Sequence, residues 1–292
     1  MIGKKIAVII VTYNAMAWQK KCLIPLKEVP DLGKVYIIDN GSTDGTQGFI
    51  KKNCPDFNFY QSEDNLGFGK ANNLGFEMAL KDGCSHFLLL NQDAQISWTN
   101  IQLLAELQQK NPDCGIISPL QMYNNNDVDF LHLKSLMKQS YSYFNDLICG
   151  NTLKELYDIT YTNAAIWMLS RECLKKAGGF DPLFPHYGED SEYAQRVNNL
   201  GMCVGLAPKI KGYHFRKQQT KSHEKTETYY FNTFLVQLKD SSKSESVVWL
   251  RLLAQLIIGA IGRLFGINGV SNFKSWKAYL SLLSKRNMIK HH

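Results

Sequence analysis

The sequence has no C-x-x-C pair, no apolar run long enough to cross a bilayer, and no Asp or Glu after residue 245. Each absence excludes something. Seven cysteines, at 22, 54, 84, 114, 149, 173 and 203, are widely spaced and odd in number, so neither a disulfide scaffold nor a zinc knuckle is expected. Free thiols in a reducing compartment are expected instead. A membrane span needs ~18 uninterrupted apolar residues. Ahead of Thr12 the apolar stretch is only Ile6 to Val11, which suits a buried strand better than an export signal and points to a cytoplasmic protein. Two nucleotide signatures are also missing. Without G-x-x-x-x-G-K-[ST] a P-loop NTPase is disfavoured, and the glycines of Asn65-Leu66-Gly67-Phe68-Gly69 lack the spacing of a dinucleotide-binding turn.

What is present describes an ordinary globular chain. Its 292 residues are 45% hydrophobic and 20% charged, enough to bury a core without staples and too apolar for disorder. The first 120 or so residues alternate strand and helix. Strands are expected at 6–11, 34–39, 57–61 and 87–90, with helices at 18–28, 46–52, 69–81 and 100–110. Continuous apolar strands imply a mostly parallel sheet covered by helices on both faces, that is, an α/β fold. Right-handed crossovers then gather the C-terminal strand ends at one edge, where open α/β sheets bind ligands. Polar residues follow several of these strands directly: Thr12-Tyr13-Asn14, Asp39-Asn40-Gly41-Ser42 and Asn91-Gln92-Asp93.

Residues 123–161 are irregular. After them come a strand near 164–169, a helix opening at Ser170, the turn Gly178-Gly179-Phe180-Asp181-Pro182 and a helix from Asp190 to about Leu200. Short strands at 202–206 and 209–214 precede helices at 227–239 and 247–265, and a last helix from Asn272.

In order along the chain stand VIIVTYN (8–14), VYIIDNGSTDGT (35–46), NLGFGKANNLG (65–75), FLLLNQDA (87–94), GGFDPLF (178–184), GEDSEYAQRV (188–197) and the YH of 213–214. As a series these blocks, which cover about residues 6–240, resemble a family 2 glycosyltransferase of the GT-A fold, close in kind to the rhamnosyltransferase-like enzymes of bacterial glycan assembly. The resemblance implies a nucleotide-sugar-binding half (1–122), an acceptor-binding and catalytic half (123–240) and a separate basic tail (241–292).

It also implies roles. Asp39 would accept a hydrogen bond from the N3–H of uracil or thymine, although an Asx-type turn closing the strand accounts for the same residue. Thr12, Tyr13, Asn14, Asn40 and Ser42 would surround base and ribose. Asn65, Gly67, Phe68 and Asn72 would lie against ribose and donor sugar, with Asn91 and Gln92 beside them. Asn91-Gln92-Asp93 occupies the DXD position, so Asp93 would bind Mn²⁺ or Mg²⁺, hard cations that take oxygen ligands and bridge phosphates. Asn91 departs from the first Asp of that pattern. His214 would be a further metal ligand through a neutral imidazole, or a hydrogen-bonded structural residue. Asp190 would be the general base, and Glu189, Trp167 and Tyr187 would meet the acceptor, with Asp181 and residues 184–187 as further wall. Helix capping alone also explains an acidic pair at 189–190. Arg196 reads as a structural ion-pair partner.

The implied reaction is metal-dependent inverting transfer from a UDP- or dTDP-sugar to a hydroxyl of a glycan or lipid-linked acceptor, in cell-surface polysaccharide or lipopolysaccharide synthesis. A sugar nucleotidyltransferase and an inactive sugar-nucleotide-binding subunit are the alternatives.

The net charge of +7 resides in the tail, since residues 246–292 carry seven Lys and Arg and no acid. A helix over 247–265 has one narrow polar stripe, Arg251, Gln255, Gly259, Gly262 and Arg263, on an otherwise apolar surface. That pattern fits peripheral contact of residues 247–290 with an anionic membrane face, or packing on the catalytic domain or another subunit. The breadth of the apolar surface and the neutrality of residues 1–245 argue against a nucleic-acid partner.

Overall fold

The computed structural model describes residues 5–184, 187–215, 226–264, 273–286 and 289. Pro185, His186, Lys290 and residues 265–272 lie outside the described set, and the side chain of Arg263 is likewise not described.

Strands β1 (Ile6–Thr12), β2 (Gly33–Asp39), β3 (Asn58–Gln61) and β4 (His86–Asn91) form a parallel group in the order β3-β2-β1-β4. Ile6–Val8 and Ile9–Ile10 of β1 are buried without alternation, as a strand covered on both faces requires. The covering helices are α1 (Gln19–Leu23), α2 (Thr46–Asn53), α3 (Phe68–Lys81) and α4 (Trp98–Lys110). The helix expected over 18–28 is shorter because Pro25 follows Ile24 and the chain tightens into a 3-10 turn over Ile24–Leu26.

The second half of the sheet departs from pure parallel pairing. Its strands are β5 (Ala94–Gln95), β6 (Cys114–Met122), β7 (Tyr157–Ile159), β8 (Ile166–Ser170) and β9 (Cys203–His214). β8 is antiparallel to β4 and β6, β9 is parallel to β6, and both β5 and β7 are antiparallel to β9. The two short strands expected at 202–206 and 209–214 are one strand with a register shift opposite Pro119 and Leu120. The irregular segment contains α5 (Phe130–Leu136) and α6 (Tyr141–Cys149). Helices α7 (Arg171–Ala177) and α8 (Glu189–Asn199) follow, the first capped by Ser170 as expected, its side chain accepting from Cys173 N at 3.0 Å.

Helices α9 (Glu227–Leu238), α10 (Glu245–Leu264) and α11 (Phe273–Ser284) build a third, smaller core with Phe184. It includes Tyr230, Phe234, Val248, Trp249, Leu252, Leu256, Tyr279 and Leu282, so it straddles the boundary expected at residue 240. One face of α10 is therefore packed on the domain, while Leu250, Ile257, Ile258 and Ile261 are exposed.

Contrary to the expectation of thiols only, Cys114 and Cys203 form a disulfide, with Cα atoms 4.3 Å apart. They are directly paired on β6 and β9 despite an 89-residue separation, and only the strand register brings them together.

Candidate functional site

The ends of β1 and β2 are stitched into one polar shelf. Thr12 Oγ1 and Ser42 Oγ donate to Asp39 Oδ1 at 2.9 and 2.5 Å, while Ser42 N and Gln47 Nε2 donate to Asp39 Oδ2 at 3.0 and 2.9 Å. Asn14, at φ 48°, donates from its backbone N to Ser42 Oγ at 2.9 Å, and its side-chain oxygen accepts from Thr43 N at 2.9 Å. Asp44 receives Met16 N and the Thr46 hydroxyl, fixing the start of α2.

Asp39, expected to read the base, is built into this shelf. Its carboxylate is fully buried, already takes four donors and does not line the adjoining cavity. Asn40, the next residue, does line it. Asn40 Nδ2 donates to Gly67 O at 3.3 Å, and its Oδ1 is a buried acceptor with no hydrogen-bond partner. Thr12, Asn14 and Ser42 likewise brace the shelf and are not cavity walls.

The cavity has a volume of about 290 Å³ and is bounded by Val11, Tyr13, Asn40, Asn65, Gly67, Phe68, Asn91, Gln92 and Asp93. Tyr13 is half-exposed on its rim. Gln92 is held by the backbone of Tyr13, accepting from its N–H at 2.7 Å and donating to its carbonyl at 3.2 Å. Asn65 Oδ1 accepts from Gly67 N at 2.9 Å in an Asx turn, and Gly67 takes φ 79° to open α3. Asn72, expected against the donor sugar, does not line the cavity either. It is buried inside α3 and donates back to Phe68 O at 2.9 Å, away from the cavity.

A second cavity, about 340 Å³, shares Phe68 and Asn91 with the first and continues to Asn163, Ala164, Ala165, Tyr187, Glu189, Asp190 and His214. Gly188, at φ 97°, turns the chain into α8, so both acids fall in its first turn, where the helix dipole favours negative charge. Asp190 is anchored on both oxygens. Tyr161 Oη donates to Oδ2 at 2.7 Å and Ser191 N donates to Oδ1 at 2.7 Å. Burial pushes the Asp190 carboxyl above the usual range, and the Tyr161 and Ser191 bonds pull against that shift. Glu189 is raised to about 7 by burial, with the Asp190 charge adding to it, and its Oε2 has no hydrogen-bond partner. Tyr187 is 80% exposed with φ 66°, an outlying backbone for a bulky residue.

Trp167 does not reach this cavity. Strand alternation turns it into the core, where it stacks on Phe180 at 6.5 Å and meets Tyr193 at 6.1 Å between centroids. Asp181 is also structural: it pairs with Lys239 at 2.9 Å. Arg196 holds Glu192 at 2.7 Å, as expected.

Asp93 and His214 meet at the junction of the two cavities because β5 pairs with β9, Ala94 opposite His214. His214 Nε2 is 3.5 Å from Asp93 Oδ1, and His214 Nδ1 is 3.5 Å from Asp129 Oδ2. A carboxylate oxygen and an imidazole nitrogen at that separation fit two positions of a six-coordinate divalent cation, with phosphate oxygens and water for the others. A buried carboxylate behind the imidazole is the usual support for a metal-binding histidine. The one group of three or more His, Cys, Asp or Glu ligand atoms gathered closely among the described residues is Cys114, Asp158 and Cys203, whose sulfurs are joined to each other.

Tyr161, Asp129 and Gln47 were not evident from sequence. Tyr161 and Asp129 sit in or beside the irregular segment, and no local spacing links them to residues 190 and 214. Gln47 falls just beyond the DNGSTDGT run that drew attention to its neighbours.

The Glycosyl transferase family 2 model matches residues 7–177, more than half of the chain. The chain belongs to that family. No curated protein matches it. Among solved structures it is similar to S. aureus TarS residues 1–349 in complex with UDP-GlcNAc (TM-score 0.63, 16% identity, covering 98% of this chain and 81% of that one). It is also similar to GalNAc-T7 with UDP, GalNAc and Mn²⁺ (TM-score 0.57, 16% identity, covering 80% of this chain and 47% of that one). Against the longer TarS structure the TM-score is 0.59 at 18% identity, and the alignment covers 87% of this chain but spans only 43% of TarS. At these identities the likeness concerns the fold, and the fold is GT-A.

Proposed function

We propose that this family 2 glycosyltransferase moves a sugar from a UDP- or dTDP-sugar to an acceptor hydroxyl with inversion, Asp190 serving as general base. The observation that carries the reading is the pair of cavities joined at Phe68 and Asn91, with amides at the far end of one and an anchored carboxylate in the other. The nucleotide complexes of the structural relatives, UDP-GlcNAc in one and UDP with GalNAc and Mn²⁺ in another, support a nucleotide-sugar in the first cavity.

In that cavity Asn40 Oδ1 takes over the base contact first expected of Asp39, since an amide oxygen accepts from uracil or thymine N3–H as a carboxylate does. Asp39 instead holds the shelf rigid. Tyr13 offers a ring face to the base. Asp93 and His214 would hold a Mn²⁺ or Mg²⁺ ion, which when bound neutralises charge on the departing diphosphate. Asp190 removes the proton of the acceptor hydroxyl as its oxygen bonds to the anomeric carbon. The bond from that carbon to the diphosphate breaks on the opposite face, and the electron pair leaves with the nucleotide. One displacement inverts the configuration. Tyr161 keeps Asp190 ionised and aimed, while Glu189, carrying a proton near neutral pH, presents a donor or an acceptor to a sugar hydroxyl. A glycan or lipid-linked acceptor of cell-surface polysaccharide synthesis fits an open second cavity.

The test is a panel of nucleotide sugars with Mn²⁺ and with chelator, following release of free nucleotide. Metal-dependent release from one donor is expected. Asp190→Asn should lower kcat by at least ~10²-fold with donor affinity nearly unchanged. Full turnover in that variant would remove Asp190 from the mechanism.

A further inference from the structure

Helix α10 is apolar on two sides, and among the described residues only one is packed on the rest of the chain. Val248, Trp249, Leu252 and Leu256 pack into the small third core, with Trp249 edge-on to Tyr279 of α11 at 5.4 Å between ring centroids. Leu250, Ile257, Ile258 and Ile261 face solvent at 67, 45, 69 and 51% exposure, and Val247 lies with them at 48%. The neighbouring α11 adds Phe273 and Leu280, exposed at 83 and 60%. Large aliphatic side chains repeated at helical spacing and left in water are unusual on a soluble face.

Charge indicates what covers them. Residues 246–292 contain no acid, and of their seven basic residues Lys277 pairs with Glu227 at 3.0 Å and Arg286 with Glu245 at 2.7 Å. Because residues 1–245 sum to zero, the net charge of +7 stays with this tail, and Arg251 is exposed on α10 itself. A second copy of this chain would bring the same sign of charge to the contact. An acidic surface is complementary to it. No helix among the described residues is long and apolar enough to cross a membrane, and a one-sided apolar helix that meets a bilayer lies along its surface.

We propose that the solvent face of α10, together with the exposed apolar residues of α11, docks the protein on an anionic lipid bilayer. The apolar side chains enter the boundary between headgroups and acyl chains, and the basic excess draws the helix to acidic headgroups. This surface is separate from both cavities, and the inference does not rest on the donor or the acceptor proposed above.

The experiment is flotation of the full chain with phosphatidylglycerol–phosphatidylcholine vesicles and with phosphatidylcholine vesicles alone. Binding to the acidic vesicles is expected, weaker by roughly tenfold or more on neutral vesicles or at high salt. The double variant Leu250→Glu/Ile258→Glu should lose at least tenfold, and Arg251→Gln should weaken binding to a lesser degree. Unchanged thermal melting of both variants keeps the comparison valid, since all three side chains are exposed. Three results overturn the inference: no flotation with acidic vesicles, equal flotation of the double variant and the parent, or a concentration-dependent dimer abolished by the double variant while vesicles are ignored.

Discussion

Tyr161 and burial act on the Asp190 carboxylate in opposite directions. The phenol donates to Asp190 and favours its ionised form, whereas burial favours the protonated one. Removing the phenol hydrogen bond in Tyr161→Phe should therefore raise the Asp190 pKa further. The acid limb of the pH–rate profile moves to higher pH and kcat falls ~10-fold at neutral pH, with KM for the donor little changed. A merely structural tyrosine would lower stability without moving that limb. Glu189 makes a stability prediction. Its folded value of about 7 stands above its ordinary 4.5, so its contribution is fully present below pH 4.5 and is lost as pH rises through 7. Glu189→Gln cannot ionise. It should gain ~1–3 kcal/mol on the parent between pH 4.5 and 8, read from denaturant melts across that range. Parallel stability curves would show that Glu189 is not held in a desolvated site.

At the scale of elements, the cavity loop depends on how closely α3 lies on the sheet. Gly75 of α3 has no room for a side chain, because a Cβ there would collide with Ile9 of β1. At the helix's other flank Asn73 clamps the 178–182 turn, accepting from Phe180 N at 2.7 Å and donating to its carbonyl at 2.9 Å. Gly75→Ala should cost ~1–3 kcal/mol in a chemical melt and weaken donor binding, since Gly67 and Phe68 move with the helix they open. Stability equal to the parent would mean that α3 can shift outward freely. The parallel strands, α3 and the carboxylate pair of α8 were legible in sequence because periodicity and local turn chemistry encode them. What stayed hidden was set by register: β5 is two residues long, yet it carries Asp93 to His214, and β6 was missed although it is buried along its whole length. The same limit explains the site. The base contact of Asp39 was implied by the family resemblance, and only the three-dimensional shelf shows its four donors and turns attention to Asn40. Trp167 sat in the right stretch of sequence and on the wrong face of its strand.

On the scale of the whole molecule, the parallel half carries the shelf and first cavity, the mixed half carries the acids, and β9 joins them. β9 bears His214 at one end and Cys203 at the other, pairing with β6 along most of its length. The Cys114–Cys203 bond therefore closes a chain segment that contains α5 to α8, with Tyr161, Glu189 and Asp190 inside it. Closing a loop of 89 residues removes denatured-state entropy, worth ~4–5 kcal/mol in the chain-entropy description and less where unfolded structure persists. Reductant should lower the melting temperature of the parent by several degrees and leave Cys114→Ser/Cys203→Ser unmoved. The paired variant should melt with the reduced parent. Mass spectrometry after alkylation without reductant decides the bond itself: two blocked thiols are expected, and seven labelled cysteines would return the pair to the reduced state that wide spacing first implied. If the thermal shift appears and catalysis is unaffected by reductant, the bond serves only to keep β9 on β6. If turnover also falls, the Asp93–His214 contact has been disturbed, because His214 ends β9 and Asp93 adjoins β5, which pairs with β9.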